Sequence, residues 1–292
     1  MRLNPFDTSK IDVRAGSSGA RRPGRGRRAG GVGCGAIVIA LIGAVVFGID
    51  PGQTLALLGG LDQSATTTAS TPSSDADEEQ ICSSGPYARE ACNALTSLNE
   101  TWEPEFRRAG AQFRQPFLQF VGNERIQTGG CGTTTSAVGP FYCPADYGIY
   151  IDVRFFDQLA RMSGTRGDFA RLYVMAHEYG HHVQNLTGLA DQVRVAKQRN
   201  PQSANRLSVA MELHADCYAG VWAGKNRARI EPGDIEEGMR AASAVGDDAI
   251  ARQSGRRANP ESFSHGSSQQ RIEALRRGLQ TGDQGACDVY FE

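Results

Sequence analysis

Lysine, tryptophan and histidine are scarce in this 292-residue chain, with three, two and five residues against 28 arginines. The arginine preference is a genome-composition signature and carries no functional weight. All five histidines (His177, His181, His182, His214 and His265) lie in the C-terminal half, so any imidazole chemistry is confined there. No two of the seven cysteines stand two to four residues apart, which argues against a thiolate zinc site. The 35 glycines and 12 prolines follow no three-residue period and no internal repeat is present, which excludes collagen and coiled coil. The formal net charge of −1 hides an asymmetry, because residues 1–30 carry +6 and the remainder −7. The acidic body has no basic patch interleaved with aromatics, and binding of nucleic acid is not expected.

What is present begins with the basic head. Residues 1–30 read as a cytoplasmic tail, and 31–49 as a transmembrane anchor. Val32–Ile49 has no charge over 18 residues, which as helix rise about 27 Å and just cross a bilayer core. Arg21, Arg22, Arg25, Arg27 and Arg28 precede it, so the positive-inside bias keeps the N-terminus in the cytoplasm and exports the rest. A cleaved signal peptide is the alternative, but the apolar run is long and continues into Asp50-Pro51-Gly52 rather than a small-residue cleavage site. A nucleic-acid-binding arm is the other reading of the arginine run. Residues 50–80 read as a flexible linker, since Gln63–Gln80 lacks large apolar residues.

The exported part, 81–292, reads as one domain with six cysteines, an even number that allows three disulfides in an oxidising compartment. The short spacings 82–92 and 131–143 invite local bridges, which would leave Cys217 with Cys287. Leu95–Phe120 contains helical stretches that Pro104 and Pro116 should break, with Trp102, Phe106, Phe113, Phe117 and Phe120 as core candidates. Gly139–Cys143 and Ile149–Val153 suggest a hairpin or small sheet, which could line a cleft or be purely structural. Helices should dominate afterwards. The fold class expected is α+β, mostly helical with a small β-sheet, preceded by one transmembrane helix.

Asp168–Gly188 is an amphipathic helix candidate, with Asp168 as N-cap and Gly188 as stop. Within it, His177-Glu178-Tyr179-Gly180-His181 puts two imidazoles four residues apart, about 40° from each other around the axis, so both can reach one ion. Glu178 can address a metal-bound water without ligating. The rival register, Glu178 with His182, would lose that base. A catalytic zinc site needs a third protein ligand. Asn205–Gly224 offers one, because Glu212 and Asp216 share a helical face among apolar neighbours. Glu212 can ligate, while Asp216 can accept the free N–H of a ligating imidazole. His214 points to the opposite side of that helix and reads as structural or supporting.

The blocks HEYGHHVQ and ELHADCYAG, with CGTTTSAVGPFYCPADYGIYIDVRFFDQL upstream and FSHGSSQQR downstream, resemble the bacterial neutral zinc metallopeptidases. The resemblance covers most of residues 81–292, and the MRLNPFDTSKIDVRAG opening and the anchor also fit. It implies a zincin-like domain of the thermolysin type, in which His177, His181 and Glu212 hold Zn2+ and Glu178 is the general base. The expected activity is hydrolysis of protein or peptide substrates at the outer side of the cytoplasmic membrane. His214 stands where the family usually has Gln. By the same resemblance, His265 could present a ring N–H to the oxyanion, with capping as the other reading. Arg271 is a weaker candidate for a substrate carboxylate, and Asp247-Asp248 reads as a helix-end or turn pair. The alternatives to an enzyme are an inactive zinc-binding pseudo-peptidase and a surface-anchored interaction module.

Overall fold

A computed structural model describes residues 1–15, 75–122 and 125–292. The elements in chain order are β1 (Asp12–Ala15), α1 (Asp75–Cys82), α2 (Pro86–Arg108), β2 (Phe117–Phe120), β3 (Arg125–Gln127), β4 (Thr133–Thr135), β5 (Phe141–Cys143) and β6 (Gly148–Ile151). They continue as α3 (Phe155–Ser163), α4 (Asp168–Leu186), α5 (Leu189–Arg199), α6 (Ala204–Lys225), α7 (Asp234–Ala244), α8 (Asp247–Gln253) and α9 (Ser268–Thr281). The α+β class, mostly helical with a small sheet, is therefore the observed one.

The main sheet has the order β1-β2-β6-β5. β1 and β6 flank β2 in parallel, and β5 returns antiparallel on β6 as the expected hairpin. A separate ribbon pairs β3 with β4. Its Cys131 bridge to Cys143 ties it to β5, while Cys82–Cys92 joins α1 to α2 and Cys217–Cys287 holds the C-terminal turn on α6. These are the three pairings the cysteine spacing suggested.

α6 lies between α4 and α9, with Ala215, Cys217, Val221 and Trp222 sealed from solvent. Each large apolar side chain so buried contributes roughly 1.5–3 kcal/mol relative to exposure. Close approach to α9 depends on glycine: a Cβ on Gly220 would stand 2.1 Å from the Leu275 carbonyl oxygen, and one on Gly278 1.9 Å from that of Cys217. α2 runs through Pro104 without the expected break. Glu100, whose carbonyl loses its usual donor to the proline, is exposed, so water can replace the missing bond. Trp102 and Phe106 enter the main core, and Phe117 a smaller one with Tyr150 and Phe141.

The sequence boundaries at the N-terminus need correction. Residues 1–15 are part of the folded body rather than of a separate 1–30 tail, and the body does not begin at 81. β1 pairs with β2 over four residues, and Ile11 and Val13 are buried in the main core. The Val13 amide donates to Glu78, the Phe6 amide to Asn93, and Asn99 to the Lys10 carbonyl. The Met1 amino group lies 3.0 Å from Asp168 and 2.9 Å from Asp234. The alternation Ile11-Asp12-Val13-Arg14 is a strand signal, but it is short, and its partner β2 lies more than a hundred residues later, so the sequence did not show where it docks. With β1 in place, residues 1–15 pack on the same folded body as residues 75–292. The 31–49 anchor itself lies outside the described residues. Among the described residues, no helix is long and apolar enough to cross a membrane.

Candidate active site

The site forms where α4 crosses α6. A Cβ on Gly180 would stand 2.9 Å from the Ala215 carbonyl oxygen, so glycine at this position lets the two backbones approach. One turn of α4 on each side then faces one turn of α6. His177 and His181 from α4 meet Glu212 from α6, with their ligand atoms all within 4.8 Å of one another. His177 Nε2 is 3.2 Å from Glu212 Oε2, and His181 Nε2 is 3.5 Å from Glu212 Oε1. Donors on a tetrahedral zinc at 2.0–2.1 Å stand about 3.3–3.4 Å apart, so these separations suit that ion.

The imidazole orientations suit it as well, because each Nδ1 faces an acceptor and each Nε2 is turned to the common centre. His177 Nδ1 is 2.8 Å from Asp216 Oδ1, and His181 Nδ1 is 2.9 Å from Gln184 Oε1. A proton on Nδ1 leaves the Nε2 lone pair for a cation. The two supports differ. Asp216 is sealed from solvent, accepts from Tyr173 Oη at 2.6 Å, and takes two bonds from Arg271 at 2.7 and 2.9 Å. Burial alone would raise its carboxyl, yet Arg271 and His177 hold it at about 2. Gln184 is neutral and donates to the Met211 carbonyl at 2.7 Å, with His214 Nδ1 3.2 Å away. Burial drives His214 down to about 4 and keeps it uncharged.

Without an ion, burial opposes a charged His177, but Asp216 and Glu212 outweigh it and hold the imidazole up at about 10. His181 is likewise raised, chiefly by Glu212, against its own burial. The Glu212 carboxyl is pulled well below the usual range by the imidazoles despite burial. A carboxylate facing two imidazoles in this way could hold a metal ion.

Glu178 is buried beside the triad, and burial raises its carboxyl against the pull of His177 and His181. Its carboxyl makes no hydrogen bond among the described residues. His265 is buried in the segment before α9. Its Nδ1 lies 3.0 Å from Asp247 Oδ1, while Asp247 Oδ2 accepts the backbone amides of Ser264 and His265, each at 2.7 Å. Asp247 thus fixes the loop and the ring together, which is more than the helix-end pair its sequence position suggests.

Two candidates are placed elsewhere. Arg271 is consumed by Asp216 and buried, so it is not available to a substrate carboxylate. His182 turns into the core, 2.7 Å from the Arg114 carbonyl and 3.1 Å from Tyr142 Oη, which removes the rival register. Sequence reasoning missed Gln184 and Tyr173 as supports. Gln184 was findable, since it lies three residues after His181 on the same face, whereas Tyr173 reads as one more core aromatic.

Comparison with known proteins places the chain in a family. The family model described as "Putative neutral zinc metallopeptidase" matches residues 4–290. The chain is 46% identical over 200 residues to the uncharacterized protein YpfJ of Escherichia coli K12, covering 67% of this chain and 69% of that one. It is 38% identical over 265 residues to the uncharacterized protein Rv2575 of Mycobacterium tuberculosis H37Rv, covering 85% of each. No solved structure matches the chain. The chain belongs to the neutral zinc metallopeptidase family.

Proposed function

We propose that this protein is a zincin-like, zinc-dependent peptidase acting in an extracytoplasmic, oxidising compartment, in which His177, His181 and Glu212 hold the metal and Glu178 is the general base. The single observation that carries this reading is the convergence of two Nε2 atoms on one carboxylate at 3.2 and 3.5 Å, beside the buried residue Glu178. The three disulfides support the compartment. Membrane association through residues 31–49 belongs to the proposal, with residues 1–15 on the side of the catalytic body.

Bound zinc would polarise the scissile carbonyl and acidify the attacking water. The protein's own groups do the rest. Asp216 and Gln184 hold the imidazoles in the tautomer that directs Nε2 inward. Glu178, raised by burial toward the range of an effective base, takes the proton of the attacking water and returns it to the leaving amine. His265, with Nδ1 held by Asp247, would donate to the developing oxyanion from Nε2 when that nitrogen is also protonated.

The test compares purified wild type with Glu178→Gln for zinc content and for cleavage of a proteome-derived peptide library. Stoichiometric zinc in both and cleavage only by wild type are expected. Absence of zinc, or equal cleavage by the variant, refutes the reading.

A further inference from the structure

The three lysines of the chain are treated differently by the fold. Lys10 reaches Glu100 at 2.8 Å, and Lys225 reaches Glu105 at 2.7 Å. Lys197, near the end of α5, has no carboxylate partner among the described residues. Its Nζ donates to Ser208 Oγ at 2.7 Å, and that buried hydroxyl donates onward to the Ala204 carbonyl at 3.0 Å. A half-buried ammonium has three N–H donors, and here one is used.

Its position matters more than its isolation. Ser208 precedes Glu212 by four residues, one turn of α6, so the ammonium is held beside the turn that leads into the candidate ligand. Burial lowers the Lys197 ammonium, and the Glu212 carboxylate works in the opposite direction. α6 is sealed from Leu213 to Ala223, whereas Val209 to Glu212 keep some exposure, and the side chains of His181 and Glu212 are 19% and 13% exposed. The turn of α6 that keeps some exposure is thus the one between Ser208, which Lys197 contacts, and Glu212. Glu212 is occupied by the imidazoles and cannot serve as its counter-ion. A cation left without a counter-ion at the mouth of a cation site favours an arriving anion.

We propose that Lys197, held by Ser208, is a substrate-specificity residue that binds a carboxylate of the peptide on the open side of the His177–His181–Glu212 triad. The carboxylate can be an acidic side chain or the C-terminus, and the inference rests on the peptidase reading above. Lys197 acts here as a hydrogen-bond donor and charge, not in proton transfer.

The test uses the zinc-loaded full chain, Lys197→Met and Lys197→Arg, with peptides drawn from the cleaved library. Each is made with Glu or Gln at acidic positions, and with a free or amidated C-terminus. Amidation at one of these places should raise KM about tenfold or more for wild type while kcat changes little. Lys197→Met should erase the difference and Lys197→Arg should keep it. The place at which amidation matters separates side chain from C-terminus. Equal KM for acid and amide in wild type, or a preference surviving in Lys197→Met, overturns the subsite and leaves the peptidase reading intact. A second measurement needs no turnover. With three lysines, 15N-lysine labelling keeps the ammonium groups unmodified and gives resolvable NMR signals, and glutarate added to the zinc-loaded protein should move the Lys197 signal saturably, with Lys10 and Lys225 as internal references. An unmoved Lys197 signal overturns the subsite. A moved signal in a protein that cleaves nothing supports the subsite and refutes the peptidase reading.

Discussion

Replacing Arg271 by Met isolates the buried charge that supports the site. Arg271 is 4% exposed, Asp216 is wholly buried, and two bonds of 2.7 and 2.9 Å join them. Met fills similar volume but leaves the Asp216 carboxylate with only Tyr173 and His177. Breaking a buried pair by removing one partner costs about 3–5 kcal/mol, because the remaining charge stays desolvated. For a domain of this size each kcal/mol moves Tm by about 2–4 °C, so a fall of roughly 6–20 °C is expected. Adding Asp216→Asn removes the stranded charge while keeping an acceptor for His177 Nδ1, so the double variant should recover at least half of the loss. Zinc affinity should behave differently. The guanidinium opposes positive charge on His177, so Arg271→Met should hold zinc at least as tightly as wild type, whereas Asp216→Asn should weaken it about 10–100-fold. Thermal and denaturant unfolding of metal-free protein, with zinc competition titrations, measure both. A cost below about 1 kcal/mol, or a double variant less stable than the single, would refute the reasoning.

Gly180→Ala should separate α4 from α6, because its methyl would lie 2.9 Å from a backbone oxygen; a loss of roughly 1–3 kcal/mol in stability together with weaker zinc binding is expected, and unchanged zinc affinity would sink the crossing argument. Zinc uptake at pH 8 should release at least the His177 proton, since that imidazole is held at about 10 in the metal-free form and must deprotonate to ligate; calorimetry in buffers of different ionisation enthalpy checks this, and buffer-independent heats would contradict it. Arg14→Cys with Gln119→Cys, paired in register across β1 and β2, should form a disulfide in the full chain as expressed in cells; a pair that stays reduced while the three native disulfides form would show that the first residues lie on the other side of the membrane.

The convergence of the candidate metal ligands was legible in the sequence because each block stays on one regular helix, where a spacing of four converts directly into a shared face. His177 and His181 depend only on α4, and Glu212 with Asp216 only on α6. The cysteine pairs were legible for a similar reason, since two of them close short loops. What was illegible needed two elements to be known together. Asp247 gains its role from a loop 17 residues later, and Arg271 loses its exposure to a carboxylate 55 residues earlier. Lys197 looks like any charged helix residue until α6 is placed beside it. The docking of residues 1–15 is the extreme case, because β1 takes its partner from across more than a hundred residues.

The charges of the supports also set what the site can stabilise. On the proposed reading zinc with Glu212 would carry net +1, Asp216 would cancel that, Arg271 would restore it and Gln184 would add nothing. Once Glu178 has taken the proton, these groups would together stay positive where the oxyanion forms. Gln184→Glu tests whether the neutral support is required for this. A carboxylate there would still accept from His181 Nδ1, but it would sit roughly 6–7 Å from the metal, counting a hydrogen bond, the ring and a zinc–nitrogen bond. At an effective dielectric constant near 20 the added charge opposes a developing anion by about 2.5 kcal/mol. It also faces the Met211 carbonyl at a position where Gln184 donates, so some stability is lost. Zinc should bind at least as well as in wild type while kcat falls tenfold or more. Full occupancy with unchanged kcat would mean that the charge of this support has no bearing on the transition state, and that Gln184 serves geometry alone.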